Sequence, residues 1–359
     1  MNLQKESKIR VLIVDDSEGM RMLLEWIFSN DSAFEVAGIA RDGIEAVDAV
    51  ARLAPDVVTM DIQMPRMDGL EATRRIMETK PTPIVILSGN LDAEEVASSF
   101  RAMEAGALIA MAKFRGVKRP EFDADVANLI RVVKLMAEVK VVKRWPRVAK
   151  DQPKPLCQAA GDPAQTDHKV VAIGASTGGP VVINTILSGL PQGFPLPVLI
   201  VQHMAAGFIR GFADWLNLSS RLPVHVASQG ELLLPGHVYI APEGYNLEVK
   251  EDSRLALTGS ILEHGQCPSV AALFRSVAAV YGGNAVGIIL TGMGNDGARE
   301  LKLMKDRGAV TIAQDRESSV IFGMPGEAVK FGAATYVLPP DRIVGYLAAN
   351  FRERKSDDI

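Results

Sequence analysis

Short apolar runs, many of them β-branched, alternate with amphipathic segments along the first 140 or so residues of the chain. The apolar runs predict five strands, at 11–14, 35–40, 57–60, 84–87 and 108–112. Apolar positions at helical spacing predict helices at 18–28, 43–53, 69–77, 93–105 and 123–142. Regular alternation of strands and helices predicts a parallel sheet with helices on both of its faces.

The same alternation returns in the last half of the chain. Strands are predicted at 170–173, 197–202, 238–241, 285–291 and 309–313, and helices at 181–188, 208–218, 269–281 and 298–306. The segment 143–168 between the two halves carries prolines and polar residues without periodicity, which predicts an interdomain linker. We therefore predict two open, doubly wound α/β domains with parallel sheets, at 8–142 (flavodoxin-like) and 169–352 (Rossmann-like).

Composition, net charge and cysteine content limit the classes of protein to which the chain can belong. The chain has 359 residues, which is enough for two domains with separate cores, and 48% of them are hydrophobic. A formal net charge of -4 argues against a dedicated nucleic-acid surface. Two widely separated cysteines favour a reduced, cytoplasmic setting. No apolar stretch approaches the roughly 20 residues that span a bilayer, and the run at 11–14 is too short for a signal peptide, so we expect no membrane insertion.

Five polar residues follow successive strands of the first predicted sheet. Asp15 and Asp16 end the first strand, Asp61 the third, Ser88 the fourth and Lys113 the fifth. Because the carboxyl ends of parallel strands share one edge of a sheet, we expect these side chains to converge. Converging carboxylates repel one another unless a hard cation lies among them, and Mg²⁺ prefers such oxygen ligands. The pattern predicts phosphoryl transfer to Asp61, with positive charge offsetting the phosphoryl oxygens.

A glycine-flanked serine follows the first strand of the second half. Ser176 lies in the G-x-S-x-G segment 174–178, which is typical of a nucleophile elbow but equally of a plain tight corner. His203 and Asp296 follow two other predicted strands, so a shared site of nucleophile, base and orienting carboxylate is predicted at this edge. The backbone N–H groups of Thr177 and Met293 are the candidates for an oxyanion hole.

A nucleotide-binding alternative rests on the segment 292–297. It has the form G-x-G-x-x-G between a strand and a helix, and Asp315 follows 18 residues later (315 − 297), near the spacing of a ribose-binding carboxylate. Against a dinucleotide site, Asp296 would place negative charge where the pyrophosphate must lie. A nicotinamide-dependent oxidoreductase also leaves Ser176 and His203 without a role.

The first half of the chain resembles the receiver domain of two-component response regulators. The residues that carry the resemblance are Asp15, Asp16, Asp61 within the segment 61–69, Ser88 and Lys113. The resemblance implies that a partner histidine kinase phosphorylates Asp61 with Mg²⁺ as cofactor, and that Ser88 and Lys113 support the reaction. Phe114 stands where receivers usually have proline, and Ile109 where many have an aromatic residue, so the usual aromatic route of signal transfer is not implied.

Residues 169 to about 350 resemble the catalytic domain of bacterial chemotaxis protein-glutamate methylesterases. The matching stretches are 173–180, 201–204, 234–242, 290–297, 313–315 and 323–325. The resemblance implies Ser176, His203 and Asp296 as the catalytic residues, methyl-accepting chemoreceptors as substrates, glutamine deamidation as a second activity and no cofactor in the esterase site. Cys267 and Ala271 depart from the family, which has arginine and aspartate there.

The sequence therefore predicts a phosphorylation-activated serine hydrolase that demethylates chemoreceptor glutamates in sensory adaptation. We expect the unphosphorylated receiver to cover the Ser176 edge and phosphorylation of Asp61 to loosen that cover. Two alternatives stay open: the same esterase serving a receptor outside chemotaxis, and a non-catalytic phospho-switch adaptor. A DNA-binding output is disfavoured because the second half is too large and insufficiently basic.

Overall fold

The computed structural model describes residues 8–89, 93–114, 116, 119–120, 122–139, 141, 169–259 and 265–351. The chain divides into two compact units, Met1–Lys150 and Asp151–Ile359, each described by itself below. The predicted linker 143–168 lies outside the described residues, so the predicted domain bounds stay predictions. None of the described helices is both long enough and apolar enough to cross a membrane.

The first unit is a five-stranded parallel sheet with helices between its strands. Its strands are β1 (Ile9–Val14), β2 (Phe34–Ala40), β3 (Val57–Asp61), β4 (Ile84–Ser88) and β5 (Ile109–Ala112). Its helices are α1 (Glu18–Ser29), α2 (Gly43–Leu53), α3 (Gly69–Thr79), α4 (Ala93–Ala105) and α5 (Phe122–Ala137). The strand order is β2-β1-β3-β4-β5, the flavodoxin-like arrangement.

Local sequence accounts for these elements. Every residue of β3 and β4 is buried, as expected for apolar runs covered on both faces. Ser17, Asp42 and Asp68 precede α1, α2 and α3, and each side chain accepts a hydrogen bond from a first-turn amide. The closing helix was predicted to reach residue 142 but ends at Ala137, where bonds of the i to i−3 type tighten the last turn. Residue 142 itself lies outside the described residues.

The second unit has a seven-stranded sheet and a hairpin. Its strands are β6 (Val170–Ala175), β7 (Val198–Gln202), β8 (Val224–Val226), β9 (Val238–Ile240), β10 (Tyr245–Val249), β11 (Leu255–Gly259), β12 (Ala285–Ile289), β13 (Val310–Gln314) and β14 (Tyr336–Leu338). Its helices are α6 (Gly179–Gly189), α7 (Ile209–Ser219), α8 (Val270–Tyr281), α9 (Ala298–Asp306), α10 (Met324–Lys330) and α11 (Pro340–Asn350). A short 3₁₀ turn at Gly282–Asn284 precedes β12.

The seven strands are all parallel, in the order β14-β13-β12-β6-β7-β9-β8, while β10 and β11 form a separate antiparallel pair. β6 is therefore the central strand. The chain proceeds from β6 to β7 on one side and returns to β12 on the other. Such a reversal opens a crevice at the carboxyl ends of the strands, where α/β proteins bind ligands. The predicted fold class, two open α/β domains with parallel sheets, is confirmed.

Candidate active site and carboxylate pocket

Three carboxylates converge at the carboxyl edge of the first sheet. Oxygen atoms of Asp15, Asp16 and Asp61 lie within 4.8 Å of one another, with Asp15 and Asp61 buried and Asp16 exposed. Lys113 Nζ lies 2.8 Å from Asp15 Oδ2 and 2.8 Å from Asp61 Oδ2. An all-oxygen donor set with one exposed member is a suitable partial coordination shell for Mg²⁺.

The electrostatics of the pocket favour a cation. The pKa of Asp61 is raised to about 6, chiefly by burial and in smaller part by the neighbouring Asp15 and Asp16 carboxylates, while Lys113 opposes the shift. Burial also disfavours the Lys113 ammonium, but its bonds to Asp15 and Asp61 outweigh that cost and raise its pKa, so it stays charged. A divalent cation among the carboxylates would favour the ionised, nucleophilic form of Asp61.

The loop after Asp61 is held against that residue by a glycine. A Cβ atom on Gly69 would lie only 2.0 Å from the Asp61 carbonyl oxygen. Gly69 N–H also donates to the Ile62 carbonyl at 2.9 Å, which closes the loop. A larger residue at 69 would therefore displace the strand end that carries Asp61.

Ser88 ends β4 beside this pocket, and its hydroxyl has a partner that the sequence did not indicate. Ser88 Oγ donates to Glu95 Oε1 at 2.7 Å, and Gly89 N–H donates to the same oxygen at 2.7 Å. Glu95 lies on α4 and is buried. Ile109 lies on β5, while Phe114 packs on Phe122 of α5 with ring centroids 5.5 Å apart.

Ser176 lies at the carboxyl end of β6, at the centre of the second sheet. Its N–H donates to the Thr291 carbonyl at 3.0 Å, and its carbonyl accepts from Gly179 N–H at 2.9 Å. The turn continues through Gly178, whose φ of 78° is a conformation that favours glycine, into α6. On the β12 side, a Cβ on Gly292 would lie 2.7 Å from Ser176 Cβ, so only glycine fits beside the serine.

His203 and Asp296 are joined in the structure. His203 Nε2 lies 2.9 Å from Asp296 Oδ2, and only 8% of the histidine side chain is exposed. A carboxylate at Nε2 favours the tautomer that carries its proton there, which leaves Nδ1 as the nitrogen free to accept one.

The serine and the histidine follow neighbouring strands. Ala175 of β6 pairs in register with Gln202 of β7, and His203 N–H donates to the Ala175 carbonyl at 3.0 Å. Within the part of the chain that the structure describes, Ser176 Oγ makes no hydrogen bond. The structure thus brings together two of the three predicted residues and places the third at the adjacent strand end. Nucleophile–base bonds are commonly long in proteins without substrate.

The first turn of α8 encloses the Asp296 carboxylate. Oδ1 accepts from Ser269 Oγ at 2.9 Å and from Ala271 N–H at 3.0 Å, and Oδ2 accepts from Val270 N–H at 2.7 Å. Burial alone would raise the pKa of Asp296. The bond and charge of His203, with the two amides, outweigh burial and lower the pKa below its ordinary 3.8. Asp296 is therefore a carboxylate near neutral pH.

Sequence reasoning missed this helix terminus as part of the site. Ser269 before an apolar run is an N-cap signal, but nothing in the sequence indicated which carboxylate would meet its hydroxyl. Ala271, noted as a departure from the family, contacts Asp296 through its backbone N–H. Since any residue supplies that group, the departure leaves the contact intact. Cys267 lies two residues before the cap.

The glycine-rich segment 292–297 serves this site. It places Asp296 against the first turn of α8, and a Cβ atom on Gly297 would lie 2.3 Å from Val270 Cγ1. Asp315 accepts a hydrogen bond from Ser318 N–H at 3.1 Å, a local contact within its own loop. These positions favour a carboxylate-holding loop over a pyrophosphate-binding loop.

The two residues predicted to supply oxyanion donors lie next to Ser176 and next to Gly292 in the chain. Thr177 accepts a hydrogen bond at its carbonyl from Thr291 Oγ1 at 2.9 Å, while its N–H makes no hydrogen bond to a described residue. Met293 directly follows Gly292, the residue whose Cα faces Ser176. The helix terminus adds a partial positive charge beside the serine.

Two family models match the chain. The response regulator receiver domain model matches residues 11–116, and the CheB methylesterase model matches residues 171–347. Among solved structures, the Thermotoga maritima CheB methylesterase catalytic domain is 38% identical, covering 51% of this chain and 98% of that chain with a TM-score of 0.49. The fold and the two family models define the class of protein: a response regulator with a methylesterase-type second domain.

Curated relatives match nearly end to end. "Protein-glutamate methylesterase/protein-glutamine glutaminase 4" of Geobacter metallireducens is 59% identical over 96% of this chain and 100% of that protein. A relative in Nitrosospira multiformis with the same name, without a number, is 51% identical over 96% and 98%. The chain therefore belongs to the protein-glutamate methylesterase/protein-glutamine glutaminase family, which confirms the family resemblance seen in the sequence.

Proposed function

We propose that this chain hydrolyses γ-methyl esters of glutamate on chemoreceptors in the cytoplasm, and that it deamidates receptor glutamines at the same site. The observation that carries the proposal is the His203–Asp296 pair beside the Ser176 turn, at the point where the strand order reverses. Family membership supports the substrate class, because relatives that match over their whole length carry that activity in their names.

Acylation begins when Ser176 Oγ attacks the ester carbonyl carbon and its proton passes to His203 Nδ1. Asp296 stabilises the resulting imidazolium through Nε2. The N–H groups of Thr177 and Met293 are the donors proposed for the tetrahedral oxyanion. Collapse breaks the bond to the methoxy group, which takes the proton from the imidazolium and leaves as methanol.

In deacylation, water takes the place of Ser176 as the nucleophile. His203 Nδ1 takes a proton from water as its oxygen attacks the acyl carbon, and the bond to Ser176 Oγ then breaks. The serine recovers its proton and the glutamate carboxylate is released. With a glutamine substrate the leaving group is ammonia, and every other step is the same.

Phosphorylation of Asp61 by a partner histidine kinase is the proposed activating signal. Asp15, Asp16 and Asp61 would hold Mg²⁺, which neutralises charge on the incoming phosphoryl group. Lys113, bonded to Asp15 and Asp61, supplies fixed positive charge at the same place. Ser88 reaches the phosphoryl group by exchanging its bond to Glu95 for one to a phosphoryl oxygen.

Replacement of the nucleophile tests the hydrolase. Ser176→Ala should reduce methanol release from methylated receptor membranes to background, because no other group in the proposed mechanism attacks the ester. Ser188→Ala, on the exposed end of the same helix, is the matched control and should release methanol like the wild type. Release by Ser176→Ala at the wild-type rate would remove this serine from the mechanism, whereas a wild type that releases no methanol above background would favour a non-catalytic adaptor.

A further inference from the structure

Gln202 bridges the backbones of the two residues proposed as nucleophile and base. It is the last residue of β7 and is 2% exposed. Its Nε2 donates to the carbonyl oxygen of Ser176 at 2.8 Å and to that of His203 at 2.7 Å. A single amide group therefore fixes the distance between the end of β6 and the residue after β7.

The chemistry of the neighbours determines which way the amide faces. Both carbonyl oxygens are acceptors, so only the NH₂ end of the side chain can satisfy them. A primary amide has two hydrogens, one for each carbonyl. With the opposite orientation, Oε1 would face two oxygen atoms and repel both.

The other end of the side chain lies against the start of α6. A Cβ on Gly179 would lie 2.1 Å from Gln202 Oε1, so a glycine there leaves room for the amide. Among the described residues Oε1 has no hydrogen-bond partner. A buried oxygen atom without a hydrogen-bond partner lowers the free energy of unfolding. We therefore assign this side chain a positioning role and not a stabilising one. Its two donated bonds set the relative placement of two strand ends.

We propose that Gln202 is a positioning residue for acyl transfer, which couples Ser176 to His203 through their carbonyl groups. The inference rests on the proposed function, since it assigns Ser176 and His203 their chemical roles. Ser176 Oγ and His203 Nδ1 must come within hydrogen-bonding reach in the transition state, and small displacements of such pairs cost large factors in rate. Gln202 restrains the main chain from which both side chains project.

The test measures covalent labelling of full-length protein by a fluorophosphonate probe, which reports serine reactivity without a receptor. Gln202→Met keeps the length of the side chain but removes both donors. We expect it to lower the maximal labelling rate at least about tenfold, with little change in the probe concentration that gives half of that rate. Asn217→Leu is the matched control, because Asn217 also bridges two backbone groups, the N–H and carbonyl of Val224, away from the triad.

Melting temperatures are measured beside the labelling rates. Gln202→Glu, which keeps the shape but loses the two amide hydrogens, is the second variant and should also label slowly. Labelling of either folded Gln202 variant at the wild-type rate would overturn the positioning role, as would an equal loss in Asn217→Leu. A wild type that labels no faster than Ser176→Ala would instead overturn the proposed function, and this inference with it.

Discussion

The carboxylate of Asp296 is enclosed by donors on several sides within the candidate active site. It is 3% exposed and accepts bonds from His203, from a serine hydroxyl and from two amides at the start of α8. Each of these donors stabilises the charged form of the carboxyl group. A single residue thus orients the imidazole and anchors the helix terminus that packs beside it.

Asp296→Asn should reduce methanol release by about 10³–10⁴-fold. The amide has nearly the shape of the carboxylate but cannot stabilise the imidazolium or fix the same tautomer. Asp315→Asn is the matched control, because Asp315 also follows a strand of this sheet but its carboxylate accepts from Ser318, within its own loop. Initial rates on methylated receptor membranes measure the effect, and a loss below tenfold would contradict the role assigned to Asp296.

The same variant should change the acid dependence of stability. Because the folded state lowers the pKa of Asp296, its ionised form stabilises the fold above the ordinary value of 3.8. That contribution is lost as the pH falls below 3.8 through the folded-state pKa. The difference in free energy of unfolding between wild type and Asp296→Asn should therefore be constant above about pH 5 and shrink in stronger acid.

For single residues, the sequence predicted which strand ends carry the site residues better than it predicted their hydrogen-bond partners. Ser176, His203 and Asp296 could be chosen because each follows a strand of one parallel sheet, which is a property of the chain order. The bond of Ser88 to Glu95 could not be predicted, since it depends on how α4 lies over β4. Nor could the enclosure of Asp296 by Ser269, since 27 residues separate them.

Among the elements, α11 contains a glycine that its packing does not require. Gly345 lies on the exposed face of the helix, and a Cβ there would meet nothing within 4 Å. Glycine in a helix interior is less stable than alanine, because it loses more backbone freedom on folding. By contrast, Gly189 at the end of α6 faces Val344 of α11, where an added Cβ would lie at 2.7 Å.

Gly345→Ala should raise the free energy of unfolding by about 0.5–1 kcal/mol. Gly189→Ala is the contrasting variant and should lower it, because Val344 must move to admit the new methyl group. Urea unfolding of the full chain, followed by circular dichroism, measures both. A Gly345→Ala protein less stable than the wild type would show that this face of α11 is covered.

Element prediction succeeded for the buried inner strands of both sheets and failed at the two edges of the second sheet. The buried strands β3, β4 and β7 are mostly apolar, and each was predicted to within one or two residues. The edge strands β8 and β14 have three residues each, too few to show a period. The hairpin of β10 and β11 and the helices α10 and α11 were also missed, although the prolines at the starts of the two helices are a start signal.

For the whole molecule, the proposal requires that one unit regulate the other. The carboxylate pocket lies entirely in the first unit and the triad entirely in the second. The separate chemical tasks proposed for Asp61 and Ser176 can therefore be removed one at a time. Activation is then measurable as a change in esterase rate when only the phosphoacceptor is altered.

Asp61→Asn should leave basal methanol release intact and abolish its stimulation by acetyl phosphate. Asparagine keeps the shape of the pocket but cannot accept a phosphoryl group. Asp68→Asn, in the same loop, is the matched control and should still be stimulated, because asparagine also caps a helix. Equal stimulation of Asp61→Asn and wild type would contradict phosphorylation at Asp61.

The strand order also bears on how the enzyme matures. β6 and β7 follow one another directly, but β12, which joins the other edge of β6, arrives only after more than 80 further residues. Pairing of distant segments is the slow part of folding. A newly made or partly refolded chain would assemble its alcohol and imidazole early and its orienting carboxylate later. Recovery of serine reactivity would thus report the pairing of β12 with β6, not the formation of β6 and β7 alone.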